Sequence, residues 1–180
     1  MRISKENTSA LIIDVQERLL PAMWEKEMLL KNCLTLVQGL VELQVPLVVT
    51  QQYTKGLGET VAEIRSAIPG FGYIEKRDFS CCDEPAVVEK LKQTGAQNVI
   101  IFGIESHVCV LQTAVDLKDA GFNPIVVMDA VSSRTVESRE LAKERFRFEG
   151  IMMTSVESVL FELTRSSAAP EFKSISKLIK

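Results

Sequence analysis

NVIIFGIESHVCVLQTA, residues 98–114, decides how the chain folds. Val99 to Phe102, then Ile104 after Gly103, carry almost no polarity. Such a run reads as a strand buried on both faces, which is how parallel sheets look in sequence. Polar residues then interrupt it. Ser106 is a predicted N-cap, and Val108, Leu111, Val115 and Leu117 follow helical spacing as far as Gly121. Cys109 therefore falls in the first turn of a predicted helix, where unpaired N–H groups and the positive end of the helix dipole favour a thiolate. Position alone leaves two readings open: a low-pKa nucleophile and a small core residue.

Working outward, the same alternation repeats. Residues 9–15, SALIIDV, form a short apolar run that delivers Asp14 near its carboxyl end. Helical spacing of Leu29, Cys33, Leu36, Val37, Leu40 and Leu43 predicts a helix over 27–44, closed by Pro46. Residues 46–52 read as a second strand, followed by a glycine-rich loop at 53–58 and a short helix at 60–67. A third strand at 73–76 ends in Lys76, Arg77 and Asp78. Asp83 caps a helix with Pro85 in its first turn, stopping at Gly95. After the central strand and helix come a fifth strand at 124–130, a charged amphipathic helix at 137–148 and a sixth strand at 151–153. Thr154 with Glu157 fits a capping box for a helix through Leu163.

Strands alternating with helices imply a parallel sheet covered on both faces, because right-handed crossovers lay each helix over the sheet. The expected fold is α/β, a doubly wound six-stranded parallel sheet of order 3-2-1-4-5-6. Ligands then bind beyond the carboxyl ends of the strands, where the order reverses. That point lies between strands one and four, so Asp14 and Cys109 meet there with Lys76 on the same rim. Singly, Asp14 reads as a cap and Lys76 as a solvated lysine. Together the three supply a thiol, a carboxylate base and a cation that holds the base.

Length and composition bound the possibilities. The 180 residues, 46% of them hydrophobic, suit one domain spanning 1–180. The balance of 21 basic against 24 acidic residues, with no basic run, argues against a nucleic-acid partner. No apolar run approaches the roughly 20 residues that cross a bilayer, so no membrane association is expected. The N-terminal MRISKENTSA has no apolar signal core, and four cysteines without an export signal argue for reduced thiols; a cytoplasmic location is the expectation. Adjacent Cys81 and Cys82 lack the spacing of a zinc or thioredoxin pair. Gly56-Leu57-Gly58 lacks the third glycine of a dinucleotide fingerprint, where Val61 stands.

DVQ at 14–16, KRDFS at 76–80 and GIESHVCV at 103–110 together resemble the three signature segments of the isochorismatase-like cysteine hydrolase superfamily. TQQYTKGLG at 50–58 and the ending EFKSISKLIK are similar to its small single-domain members. The resemblance covers nearly the whole chain. It implies a three-layer αβα sandwich with Asp14, Lys76 and Cys109 as the catalytic triad. It also implies a non-proline cis peptide between Ile104 and Glu105, which would aim the Glu105 N–H at the site to form an oxyanion hole with that of Cys109. Nicotinamidases of this fold bind a metal through an aspartate and histidines after strand two. This chain has one histidine, His107, so neither a metal nor another cofactor is expected.

On a helix, His107 and Cys109 project about 200° apart, which makes His107 a pocket-rim candidate and not a base for the thiol. Trp24, Tyr53 and Phe79 are candidate pocket walls, with core packing as the alternative. True isochorismatases can lack the cysteine, so its presence directs the reading toward cleavage of a small amide or imide. Two other classes stay open: a binding or scaffold protein that lost turnover, and a thiol redox protein. Family members commonly form homo-oligomers. Phe172, Ile175, Leu178 and Ile179 give the tail at 164–180 one apolar face, expected to dock on the body or, preferentially, on a neighbouring subunit.

Overall fold

A computed structural model describes residues 2–180. Its strands are β1 (Thr8–Ile13), β2 (Leu47–Gln52), β3 (Ile74–Lys76), β4 (Asn98–Ile104), β5 (Asn123–Ser132) and β6 (Met152–Thr154). The helices are α1 (Lys26–Glu42), α2 (Thr54–Leu57), α3 (Ala62–Ala67), α4 (Pro85–Gln93), α5 (Leu111–Asp119), α6 (Val136–Phe148), α7 (Val156–Thr164) and α8 (Phe172–Ile179). All strands pair in parallel, in the order β3-β2-β1-β4-β5-β6. The central β1 and β4 are buried along their whole length, as their apolar runs require. Helices α1, α3, α7 and α8 pack together on one face, while α4, α5 and α6 cover the other.

Register fixes the site. Ile13 pairs with Thr50 of β2 and with Gly103 of β4, so Asp14 emerges between these two neighbours. Gly103 has φ of +120°, and a Cβ there would collide with the Ile13 carbonyl oxygen. Only glycine lets β4 pass so close to β1. The pairing of β4 with β5 shifts register between Ile101 and Gly103. β5 consequently continues to Ser132, two residues beyond the predicted strand.

Local chemistry moved several boundaries. The fourth helix is capped by Glu84, which accepts from the Ala86 N–H, and not by Asp83. The α7 cap is Ser155, whose hydroxyl accepts from the Ser158 N–H, one residue after Thr154. Ser106 does not cap α5. Instead a π-turn, Ser106–Val110, precedes that helix, Glu105 stands at its N-cap, and the Ser106 hydroxyl is buried without a partner. The glycine-rich loop after β2 contains the short helix α2.

The C-terminal amphipathic pattern is realised on the chain's own body. Helix α8 packs on α1 and α7, with Ile175 fully buried and Leu178 and Ile179 against the core. The Phe172 ring lies 6.2 Å from that of Phe161. Outside the core, Glu171 pairs with Lys5 at 2.7 Å.

Candidate active site

The carboxyl ends of β1, β3 and β4 bring Asp14, Lys76 and Cys109 together. Asp14 follows β1 with φ of 53°. Its Oδ1 accepts a 2.8 Å hydrogen bond from Thr50 Oγ1, and its Oδ2 lies 2.7 Å from Lys76 Nζ. Both charged side chains are fully buried. The ammonium also donates to Gln52 Oε1 at 2.6 Å and to the carbonyls of Asp78 at 3.1 Å and Phe79 at 3.2 Å. Three N–H groups therefore face four oxygens, and the Asp14 contact is an ion pair outside hydrogen-bond alignment. Gln16 braces this end of the sheet: its amide donates to the Gln52 and Gly58 carbonyls and its Oε1 accepts from the Gln52 N–H.

Burial and charge set the protonation of these groups. Burial pushes the Asp14 carboxyl above the ordinary aspartate value, and Lys76, Thr50 and Cys109 pull it back only in part. Burial alone would depress Lys76, but the Asp14 charge, joined by Cys81 and Cys109 as they ionise, outweighs it and holds the ammonium above the usual lysine value. The Cys109 thiol is pushed up to about 12, first by burial and then by the Asp14 charge. Lys76 and the Glu105 N–H pull it down, without overcoming those two.

Of the two readings that position left open, the low-pKa thiolate does not hold, because desolvation and a neighbouring carboxylate outweigh the helix end and the ammonium. The resting thiol is protonated, with the Asp14 carboxyl beside it raising its pKa. The Ile104–Glu105 peptide is cis, as the resemblance implies.

A second thiol shares the network. Cys81 is fully buried, with its sulfur 3.8 Å from Thr50 Oγ1 and its N–H donating to Thr113 Oγ1 at 2.9 Å. Since Thr50 donates to Asp14, the Cys81 S–H is the donor to Thr50. Burial and the Asp14 charge push this thiol up to about 12 as well. Thr50, Gln16, Gln52 and Cys81 had no assigned role in the sequence reading. The signal lay in the polar Thr50-Gln51-Gln52 ending an apolar strand, where buried polar groups need partners.

The wall candidates separate. Phe79 is 56% exposed, and its carbonyl binds Lys76. Tyr53 is 39% exposed, with the Arg77 guanidinium 4.2 Å over its ring. His107 Nδ1 is 2.8 Å from Ser133 Oγ, and the Glu105 carboxylate meets Arg134 at 3.0 Å. Trp24 instead lines a cavity of about 90 Å³ with Met28, Asn32 and Arg139, which none of Asp14, Lys76 and Cys109 lines. Among the described residues no three His, Cys, Asp or Glu side chains gather as a metal site.

A family model described as "Isochorismatase domain" matches residues 8–158. The chain is 41% identical over 184 residues to the secreted isochorismatase effector Isc1 of Phytophthora sojae, covering 99% of this chain and 87% of that one. Among solved structures it is similar to the MAR1 ribonuclease from Caenorhabditis elegans, with TM-score 0.93 and 36% identity over 99% of this chain and 92% of that one. It is also similar to the YcaC gene product from Escherichia coli, described as an octameric hydrolase of unknown specificity. There the TM-score is 0.94 and the identity 26%, over 99% of this chain and 89% of that one.

Proposed function

The chain belongs to the isochorismatase family of hydrolases, and from that premise we propose that it is a cofactor-free cysteine hydrolase cleaving a small amide, imide or related C–N bond. The observation that carries this reading is the buried Asp14 carboxyl, ion-paired with Lys76 at 2.7 Å and close enough to the Cys109 thiol for its charge to raise that thiol. A thiol standing at about 12 is a poor nucleophile by itself and needs a base beside it.

Asp14 takes the thiol proton as sulfur attacks the substrate carbonyl carbon. The backbone N–H groups of Glu105 and Cys109 hold the developing oxyanion. Asp14 returns the proton to the departing nitrogen as the C–N bond breaks, leaving an acyl thioester on Cys109. Asp14 then accepts a proton from water, whose oxygen attacks the thioester. As the C–S bond breaks, Asp14 gives that proton to the departing sulfur, which releases the acid and restores both the thiol and the carboxylate. Lys76 keeps the carboxylate in place and offsets its charge when sulfur becomes anionic.

Measuring ammonia or amine release from a panel of amides and imides tests the proposal. Turnover by the native protein and its loss in Cys109→Ser support it. Turnover that survives Cys109→Ser overturns the thioester route. Absence of turnover across the panel favours a binding or scaffold role on the same fold.

Likeness to the MAR1 ribonuclease favours a second reading, cleavage of RNA. The acidic balance of 21 basic to 24 acidic residues argues against it. Digestion of labelled RNA by the native protein but not by Asp14→Asn would establish it. The four free cysteines fit a reducing, cytoplasmic setting, in contrast to the relative named as secreted. Because the YcaC product is octameric, we also propose that this chain forms a homo-oligomer.

A further inference from the structure

We infer that Thr50 is a positioning residue for the reaction proposed above, its hydroxyl fixing the Asp14 carboxylate through Oδ1 while Lys76 pairs with Oδ2. The inference rests on the cysteine-hydrolase reading and adds a fourth side chain to it. Thr50 lies in β2, paired with Ile13 of β1 and Ile74 of β3, and is fully buried. Asp14 directly follows Ile13, so the hydroxyl stands beside the end of β1. It donates to Asp14 Oδ1 at 2.8 Å. The Ile12 carbonyl, at 3.4 Å, is too distant to compete for its single hydrogen. Cys81, 3.8 Å away, places its S–H on the remaining side of the hydroxyl oxygen. A β-branched side chain is stiff at χ1, so the strand backbone sets where this hydroxyl points.

Two partners on two different oxygens stop the carboxyl from turning about its last bond. In the proposed route Asp14 takes a proton and returns it in each half of the reaction. A displacement on the order of 1 Å in such a group can cost roughly 10²-fold in rate. The hydroxyl also acts on protonation. An ionised carboxylate only accepts hydrogen bonds, whereas the acid surrenders an acceptor site. A donor fixed on Oδ1 therefore favours the ionised form, and Thr50 is among the groups that lower Asp14 against its burial. The titratable groups facing Asp14 are Lys76 at the end of β3, Cys81 in the turn before α4 and Cys109 in the π-turn before α5. Both thiols are pushed up to about 12. Near neutral pH Lys76 is thus the one charge among them, and Thr50 is the neutral donor that works with it.

Thr50→Val removes the hydroxyl at nearly constant volume and keeps the branching that a strand prefers. Carbon NMR of the full-length protein labelled at its aspartate carboxyls follows Asp14 against pH without any substrate, the signal being assigned by its loss in Asp14→Asn. Thr50→Val should raise the Asp14 midpoint by about one pH unit, the worth of a lost hydrogen bond to a charged group. Thr50→Ser, which keeps the donor, should retain the native midpoint. Thr50→Cys, a weak donor of similar size, should fall between them and serves if Thr50→Val does not fold. On an amide that the native protein turns over, the acid limb of kcat/KM in Thr50→Val should move up with the NMR midpoint. Its kcat should fall roughly 10-fold with KM unchanged, because Thr50 acts through Asp14. A midpoint unmoved in Thr50→Val and Thr50→Cys would overturn the role of Thr50, even if turnover fell, and would leave the hydrolase reading standing. A shifted midpoint in a protein whose native form turns over no amide or imide would overturn the hydrolase reading and leave the hold of Thr50 on Asp14.

Discussion

Lys76 holds its ammonium 2.7 Å from Oδ2 of Asp14, with both side chains wholly withdrawn from solvent. Taking two charges out of water is costly, and removing one partner strands the other. Lys76→Met should therefore destabilise the fold by about 3–5 kcal/mol in urea denaturation. The double variant Asp14→Asn/Lys76→Met should recover part of that loss, since no charge remains buried. Equal stability of single and double variants would show that the pair is uncoupled.

Asp14→Asn should have opposite effects on acidity and turnover. The Asp14 charge is one of the causes that raise the Cys109 thiol to about 12, while Lys76 lowers it. Without the carboxylate, Lys76 acts unopposed and the thiol should titrate below its native value. Turnover should nevertheless fall by roughly 10²–10⁴-fold, because no group relays the proton to the leaving nitrogen. Thiolate absorbance in the ultraviolet, followed against pH with the other three cysteines replaced, measures the first effect. A thiol that titrates higher in the variant would contradict this electrostatic account.

The pair also predicts two pH limits. Asp14 serves as base only when ionised, and its folded value lies above the ordinary 3.8, so the acid limb of kcat/KM should have its midpoint above that. For stability, the folded Lys76 value lies above the ordinary 10.5. A group raised on folding stabilises below its unfolded value and loses that contribution as pH rises through the folded one. Stability should accordingly drop on the alkaline side of 10.5, and Lys76→Met should show a smaller drop, the raised Cys81 and Cys109 thiols supplying the remainder. A native protein with no alkaline step would refute the assignment.

The sheet order was legible because apolar runs and helical spacing alternate without a break. The register carrying Asp14 to the switch point follows from that order. What escaped the sequence is cooperative and local. The Ser106 π-turn depends on how β4 leaves the sheet, and strand spacing carries no mark of it. Helix position left the acidity of Cys109 open because it shows the stabilising dipole and hides the burial and carboxylate that outweigh it. The tail, expected preferentially on a neighbouring subunit, packs on α1 and α7 of its own chain; one apolar stripe fits either surface and carries no mark of which. Thr50 and Cys81 went unassigned because their meaning lies in mutual distance.

Helix α8 offers a test of folding energetics separate from the chemistry. Only Ile175 of this helix is fully buried, while Lys173 and Ser174 beside it face solvent. An isolated eight-residue helix is marginal in water, so α8 persists through its packing on α1 and α7. Ile175→Ala removes the central contact and should cost about 2–5 kcal/mol. For a chain of this size each kcal/mol lowers Tm by roughly 2–4 °C, so a fall of at least about 4 °C is expected. Lys173→Ala should stay within about 0.5 kcal/mol of native. Because α8 packs chiefly on the layer of α1 and α7, activity per folded molecule should be unchanged in both variants. Differential scanning calorimetry with activity measured well below Tm separates the two effects. An Ile175→Ala protein that melts with the native one would mean that α8 contributes nothing to the fold.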